Sequence, residues 1–167
     1  MTFAQAVESA FRNALTFSGR SRRPEYWWFF LFVFAGALVI GVIEYAALGG
    51  SQWLTRLFQL VVLLPFLAVA WRRLQDTGRP GWMVLIPSAI VMVSAVIAGS
   101  VTRQMMGQLV DTPGAMHAPG AVATGMQSGV LLVLSLLQII AGVVIIWWMS
   151  RPSQRGPNAY GTEPRVR

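Results

Sequence analysis

The side chains best suited to chemistry in this sequence are arginines next to apolar segments, together with one nearby aspartate. The candidate residues are Arg20, Arg23, Arg72, Arg73, Asp76 and Arg79. A planar guanidinium group donates several hydrogen bonds at once, which suits it to carboxylates and phosphates. Two interpretations are therefore open. These residues stabilise a loop between helices, or they form a face that binds phosphate, an anionic lipid headgroup or an acidic partner.

Glu44 and Arg56 are the charged residues inside two otherwise apolar runs. Each lies six residues from Gly50, so in a tight helical hairpin the two side chains stand at equal depth. We predict that they form an ion pair near the outer membrane interface, because charges within a membrane segment usually pair. The functional alternative is that they belong to a path for an ion or a proton.

Other residues suggest chemistry but do not carry it. Asp76-Thr77-Gly78 matches the aspartic-protease motif, which needs two carboxylates that share a proton. The other aspartate, Asp111, is expected on the opposite side of the membrane, so we reject a protease. His117 lies among methionines, which suits copper, but their irregular spacing favours ordinary apolar contacts. The chain has no cysteine, and its sequence shows no nucleophile–base pair, no glycine-rich loop for phosphate and no carboxylate cluster for a metal. We therefore predict no enzyme, no metal and no cofactor.

The composition indicates where these residues work. Of the 167 residues, 55% are apolar and 11% are charged, against about 25% charged in soluble domains. The mean hydropathy is +0.58. So few charges cannot cover so much apolar surface in water, which argues against a soluble enzyme, and disorder needs low hydrophobicity. The net charge of +7 is better explained by a membrane than by nucleic acid, because the arginines flank apolar runs.

Four apolar runs have the length that a membrane-spanning helix requires, about 20 residues. They cover residues 26–48, 53–71, 82–101 and 127–148. The sequence therefore predicts an all-α fold, a four-helix transmembrane bundle, as a single membrane domain over residues 1–167. Residues 102–126 form its external loop, and the polar tail, residues 150–167, is expected to be ordered only in part.

The arginines are distributed unequally between the two sides that these spans define. Eleven lie before the first run, between the second and third, or after the fourth, whereas Arg56 and Arg103 lie on the other side. This bias predicts that both termini are cytoplasmic. The seven tryptophans agree, because all of them lie at run ends, where indole side chains meet the headgroup layer.

The first residues predict a different element. Apolar side chains recur every four residues from Phe3 to Leu15, which is typical of an amphipathic helix over residues 2–18. Thr2 and Gln5 fit a capping box, and Gly19 is a suitable terminator. This helix either lies on the cytoplasmic membrane surface as an interfacial helix or packs against the ends of the spans.

Three segments resemble a known family. Residues 17–29 read Phe-Ser-Gly-Arg-Ser-Arg-Arg-Pro-Glu-Tyr-Trp-Trp-Phe, residues 72–82 read Arg-Arg-Leu-Gln-Asp-Thr-Gly-Arg-Pro-Gly-Trp, and residues 156–161 read Gly-Pro-Asn-Ala-Tyr-Gly. Together they resemble the bacterial inner-membrane proteins grouped as domain of unknown function 805. The chain departs from that family's pattern at Gln75, Pro80 and Met83, where histidine, serine and tryptophan are expected. The resemblance implies a four-helix domain in the bacterial inner membrane and no established activity.

Two classes of function follow. The first is a non-catalytic scaffold or accessory protein whose arginine-rich cytoplasmic face binds anionic membrane lipid or a partner, either a second copy of the chain or another membrane protein. The second is a small oligomeric channel or transporter. A pore needs polar residues inside the spans, and the last two runs offer only Ser88, Ser94, Ser135 and Gln138. The first class is therefore preferred.

Overall fold

The computed structural model describes residues 1–111 and 121–162, and within them the fold is all-α, as predicted. The helices are α1 (Phe3–Arg12), α2 (Arg23–Ala47), α3 (Trp53–Asp76), α4 (Leu85–Asp111) and α5 (Ala121–Ser150). A short 3-10 helix, Gly81–Val84, precedes α4. The described residues contain no β-strand, only an isolated bridge between Asn158 and Gly161.

Four segments are long and apolar enough to cross a membrane, which confirms the predicted number of spans. They are Arg23–Ala47, Trp53–Asp76, Gly81–Gln104 and Gln127–Ser150. Their apolar side chains are largely exposed, for example Val42 at 68% and Leu132 at 66%. Exposing such apolar surfaces to water is unfavourable, whereas contact with lipid chains is not. The backbone groups of these segments need no water, because they are already hydrogen-bonded within the helices.

The chain forms two compact units. The first comprises Met1–Val84 with Trp148–Arg167, and the second comprises Leu85–Trp147. The first unit buries Phe29, Val69, Leu74 and Met149 completely, and it contains all the candidate residues named above. The single domain over residues 1–167 stays a prediction.

Several helix ends differ from the predicted spans because hydropathy marks the part of a helix that lies in hydrocarbon, not its end. The predicted loop over residues 102–126 is shorter, since α4 continues to Asp111 and α5 already begins at Ala121. Glutamine, methionine and leucine in this region favour helix. Residues 112–120, which include His117, lie outside the described residues.

The N-terminal helix is shorter than predicted. The capping box of Thr2 and Gln5 is confirmed, but α1 ends at Arg12, not at residue 18. Asn13 is the C-cap, with φ −107 and ψ 27. Its side-chain amide donates to the carbonyl of Ser9, and the next N–H, that of Ala14, donates only three residues back, to Phe11. The helix packs on α2 through the fully buried Ala6 and Ala10.

The α2–α3 hairpin forms the body of the first unit. Its turn places Gly49 and Gly50 at positive φ, where glycine is unstrained. Stacked aromatic rings join the two helices, and the ring centroids of Phe29 and Phe66 are 6.4 Å apart. At the other end of α3 the indole of Trp71 lies so close to Gly81 that a Cβ there would overlap it.

Candidate functional site

The end of α3 positions the aspartate that organises the site. Thr77 is the C-cap, Gly78 has φ +79, and the N–H groups of Gly78 and Arg79 donate to Gln75 and Leu74. These two bonds define a Schellman motif, which the Asp-Thr-Gly sequence favours. Because the turn satisfies its own backbone, the carboxylate of Asp76 is left to accept bonds from other segments.

The Asp76 carboxylate is completely buried and accepts hydrogen bonds from three side chains. Its Oδ1 accepts from Arg20 Nε at 2.9 Å. Its Oδ2 accepts from Arg73 Nη1 and from Ser153 Oγ. The side chains of Arg20 and Arg73 are 1% and 0% exposed. We call Arg20, Arg73, Asp76 and Ser153 the Asp76 centre.

The two arginines of the Asp76 centre also bind the backbone of the chain's last segment. Arg20 donates from Nη1 to the carbonyl of Gly156 at 2.6 Å and from Nη2 to that of Gln154. Arg73 donates from Nε to the carbonyl of Met149 at 3.1 Å and from Nη2 to that of Arg151. We call residues 151–158 the C-terminal strap.

The strap makes specific contacts with the end of α3, and the expectation that the tail, residues 150–167, is ordered only in part stays a prediction. The N–H of Gln154 donates to the carbonyl of Asp76 at 2.9 Å. The side-chain amide of Asn158 donates to the carbonyl of Gln75 at 2.9 Å, and its oxygen accepts from the N–H of Tyr160. The Gly-Pro-Asn-Ala-Tyr-Gly motif therefore attaches the end of the chain to the end of α3.

A second buried carboxylate, Glu25, belongs to the segment over residues 17–29 and was not among the predicted site residues. Glu25 accepts hydrogen bonds from Ser9 Oγ at 2.9 Å and Ser21 Oγ at 2.8 Å. Arg72 Nη2 forms an ion pair with it at 3.6 Å. This network joins α1, α2 and α3. The i, i+4 spacing of Ser21 and Glu25 could have predicted their hydrogen bond. Nothing in the neighbouring sequence indicated that Ser9 or Ser153 would bind a carboxylate.

The predicted arginine face therefore separates into two groups. Arg20, Arg72 and Arg73 are buried and bound within the protein, and Arg79 packs over the ring of Trp148 at 5.6 Å. Arg23 is exposed and donates to the carbonyl of Arg151 at 2.9 Å. Arg151 and Arg155 are exposed as well. We call Arg23, Arg151 and Arg155 the outer arginines.

The carboxylate of Glu44 makes hydrogen bonds that the sequence did not indicate, and its ion pair with Arg56 stays a prediction. Glu44 is 2% exposed, and its carboxylate accepts from the N–H of Leu54 at 2.5 Å and from Thr55 Oγ1. Among the described ion pairs within 4.0 Å, none joins Glu44 to Arg56. The first turn of α3 has unpaired N–H groups and no side-chain cap of its own, so it attracts the carboxylate instead.

These features define a class of protein. Four membrane-length helices, lipid-suited exposed faces and buried charges only at span ends are the properties of a multi-spanning integral membrane protein. Comparison with known families agrees: the chain belongs to the family described as "Protein of unknown function (DUF805)", whose model matches residues 14–162.

The chain is also similar to two proteins of Escherichia coli K12. It is 38% identical to "Inner membrane protein YhaH" over 79 residues, which is 45% of this chain and 65% of that protein. It is 42% identical to "Inner membrane protein YhaI" over 78 residues, which is 46% of this chain and 66% of that protein. The chain thus spans just under two thirds of these relatives. No solved structure matches it.

Replacing the central carboxylate tests the Asp76 centre. We expect Asp76→Asn to lower the free energy of unfolding by about 3–5 kcal/mol, because two buried guanidinium groups lose their counterion. Thermal unfolding in detergent measures this. The control is Glu8→Gln, which removes the exposed ion pair with Arg12 and should cost less than about 1 kcal/mol. Equal losses in both variants would contradict the assignment.

The cap that Glu44 provides gives a second prediction. Glu44→Leu should destabilise the hairpin by about 1–3 kcal/mol, because the N–H of Leu54 and the hydroxyl of Thr55 lose a buried acceptor. Arg56→Gln should cost clearly less, since Arg56 is exposed and acts on Glu44 through its charge with no described ion-pair contact within 4.0 Å. The same unfolding measurement distinguishes a cap provided by Glu44 from an ion pair with Arg56, because an ion pair requires that both variants lose a similar free energy of unfolding.

Proposed function

We propose that this chain is a non-catalytic accessory or scaffold protein of the bacterial inner membrane, with both termini cytoplasmic, whose outer arginines bind anionic lipid headgroups. The observation that carries the proposal is the position of Arg23 and Arg151. They stand at the first residue of one span and just beyond the last residue of another, and a hydrogen bond brings them together. Phosphates of a surrounding bilayer lie at this level.

Electrostatics supports an anionic ligand for this surface. An arginine near a membrane surface contributes about 1 kcal/mol of attraction to anionic lipid. The outer arginines are exposed, whereas Asp76 and Glu25 are buried and already accept hydrogen bonds within the protein.

The same contacts support a role without a reaction. Asp76 and Glu25 accept hydrogen bonds from serine and arginine side chains, so neither carboxylate is positioned to exchange a proton with a substrate. A channel is less well supported. Ser94, Ser100 and Ser135 donate to carbonyls three residues earlier in their own helices, and such hydroxyls do not require a polar path.

Lipid retention tests the proposed ligand. Replacing Arg23, Arg151 and Arg155 by glutamine should weaken binding of phosphatidylglycerol by about tenfold or more, because three headgroup attractions are removed. Native mass spectrometry of the detergent-solubilised protein, titrated with phosphatidylglycerol or phosphatidylcholine, measures it. The matched control is Arg56→Gln with Arg103→Gln, two exposed arginines assigned to the other side. An unchanged affinity, or the same loss in the control, would refute the proposed surface.

The orientation can be tested separately because the chain has no cysteine. Single cysteines at the exposed positions Ala4, Ser51 and Thr162 report each side through a membrane-impermeant maleimide. We expect Ser51→Cys to react in intact spheroplasts, and Ala4→Cys and Thr162→Cys to react only after lysis, since the arginine-rich side stays inside. Labelling of either terminal cysteine in intact spheroplasts would overturn the orientation.

A further inference from the structure

The Asp76 centre holds more positive than negative charge. The side chains of Arg20 and Arg73 are both buried, and among the described residues Asp76 is the carboxylate that each contacts. Within that part of the chain, two guanidinium groups against one carboxylate leave one positive charge, and the other partners of these groups are neutral oxygens. A buried charge without a full counterion is expensive in free energy. The site is therefore better suited to an anion than to the atoms that fill it.

In both guanidinium groups one nitrogen binds the carboxylate of Asp76 and the other two bind backbone carbonyls. Arg20 Nε and Arg73 Nη1 bind the carboxylate of Asp76. The other two nitrogens of each group, four in total, donate to the carbonyls of Met149, Arg151, Gln154 and Gly156. Asp76 thus orients both groups, while the final segment of the chain occupies the donors that remain.

We propose that Arg20 and Arg73 form a covered site for the phosphate group of an anionic phospholipid, which the C-terminal strap fills with its own carbonyl oxygens and leaves when the lipid binds. The inference rests on the proposed function, because it adds a second, regulated site to the same lipid-binding surface. Two guanidinium groups that each present two donors match the several oxygens of a phosphate. Asp76 keeps those donors in place when the strap is absent.

The strap has the properties of a segment that opens locally. Its residues 151–158 form no regular secondary structure, and Arg151, Pro152, Gln154 and Arg155 are exposed. Hydrogen bonds attach it to the Asp76 centre and to the end of α3. Segments of this kind open without global unfolding. The outer arginines Arg151 and Arg155 belong to the strap, so a headgroup held there already lies beside the covered site.

Loosening the strap without changing an arginine of the site tests the proposal. Gly156 has φ +75, so Gly156→Val strains the strap, and Asn158→Ala removes the bond to Gln75. The double variant should bind phosphatidylglycerol about fivefold more tightly, because apparent affinity rises with the open fraction. The matched control is Gly49→Val, at φ +62 with open space around it, and its affinity should not change.

The outcomes separate the two proposals. Equal binding of phosphatidylglycerol by wild type and the double variant, each above phosphatidylcholine, overturns the covered site and leaves the outer surface in place. No preference for phosphatidylglycerol in any variant overturns the proposed function itself. Tighter binding that persists when Arg20 and Arg73 are also replaced by glutamine overturns the assignment of these two arginines.

Hydrogen exchange of the wild-type protein is a second measurement, which does not depend on the folding of a variant. Phosphatidylglycerol should accelerate amide exchange of residues 151–158, including the N–H of Gln154 that binds Asp76, whereas phosphatidylcholine should not. Slower or unchanged exchange on binding would mean that lipid contacts only the outer arginines, and the covered site is then wrong. Inorganic phosphate is the parallel probe: acceleration by the ion alone assigns a soluble phosphate as the ligand.

Discussion

The ordered end of the first unit depends on one buried carboxylate with two guanidinium partners. Asp76 connects positions far apart in sequence, since Arg20 lies 56 residues before it and Ser153 lies 77 residues after it. Away from water, each of these groups is stable only while the others are present. The strap, the end of α3 and the segment before α2 therefore depend on one another. If one of them moves and no other anion takes its place, a charge or a carbonyl loses its partner.

Glu44 shows the same constraint at the other end of α3. A helix leaves unpaired N–H groups at its start and unpaired carbonyls at its end. Gln52, the N-cap residue, has φ 57 and makes no side-chain cap, so Glu44 of the preceding helix accepts those N–H groups. At the C-terminus, the Schellman turn satisfies the carbonyls and leaves Asp76 for the arginines. Glu44 and Asp76 thus serve the start of a helix and two buried cations.

The sequence predicted what is local or periodic. The four spans, the capping box of Thr2 and the left-handed Gly78 were all predictable, because hydropathy and turn chemistry act within a few residues. The partners of Glu44 were not, since equal distance from Gly50 fixes depth along a helix but not the direction of a side chain around it. The contacts of the strap were not predictable either, because nothing in a polar segment rich in proline and glycine indicates that its carbonyls bind Arg20, 136 residues earlier.

The distinction between buried and exposed arginines changes how the charge bias of the sequence is interpreted. A count by side of the membrane treats Arg73 and Arg155 alike. Arg73 is fully buried and donates to Asp76 and to backbone carbonyls, so while the strap is in place its charge contributes to the field of this end of the protein but not to direct contacts with lipid. Lysine could not replace it geometrically, because an ammonium group lacks the planar, separated donors that reach a carboxylate on one edge and carbonyls on the others. The use of arginine at all thirteen cationic positions therefore suits both groups, through hydrogen-bond geometry in the buried one and affinity for phosphate in the exposed one.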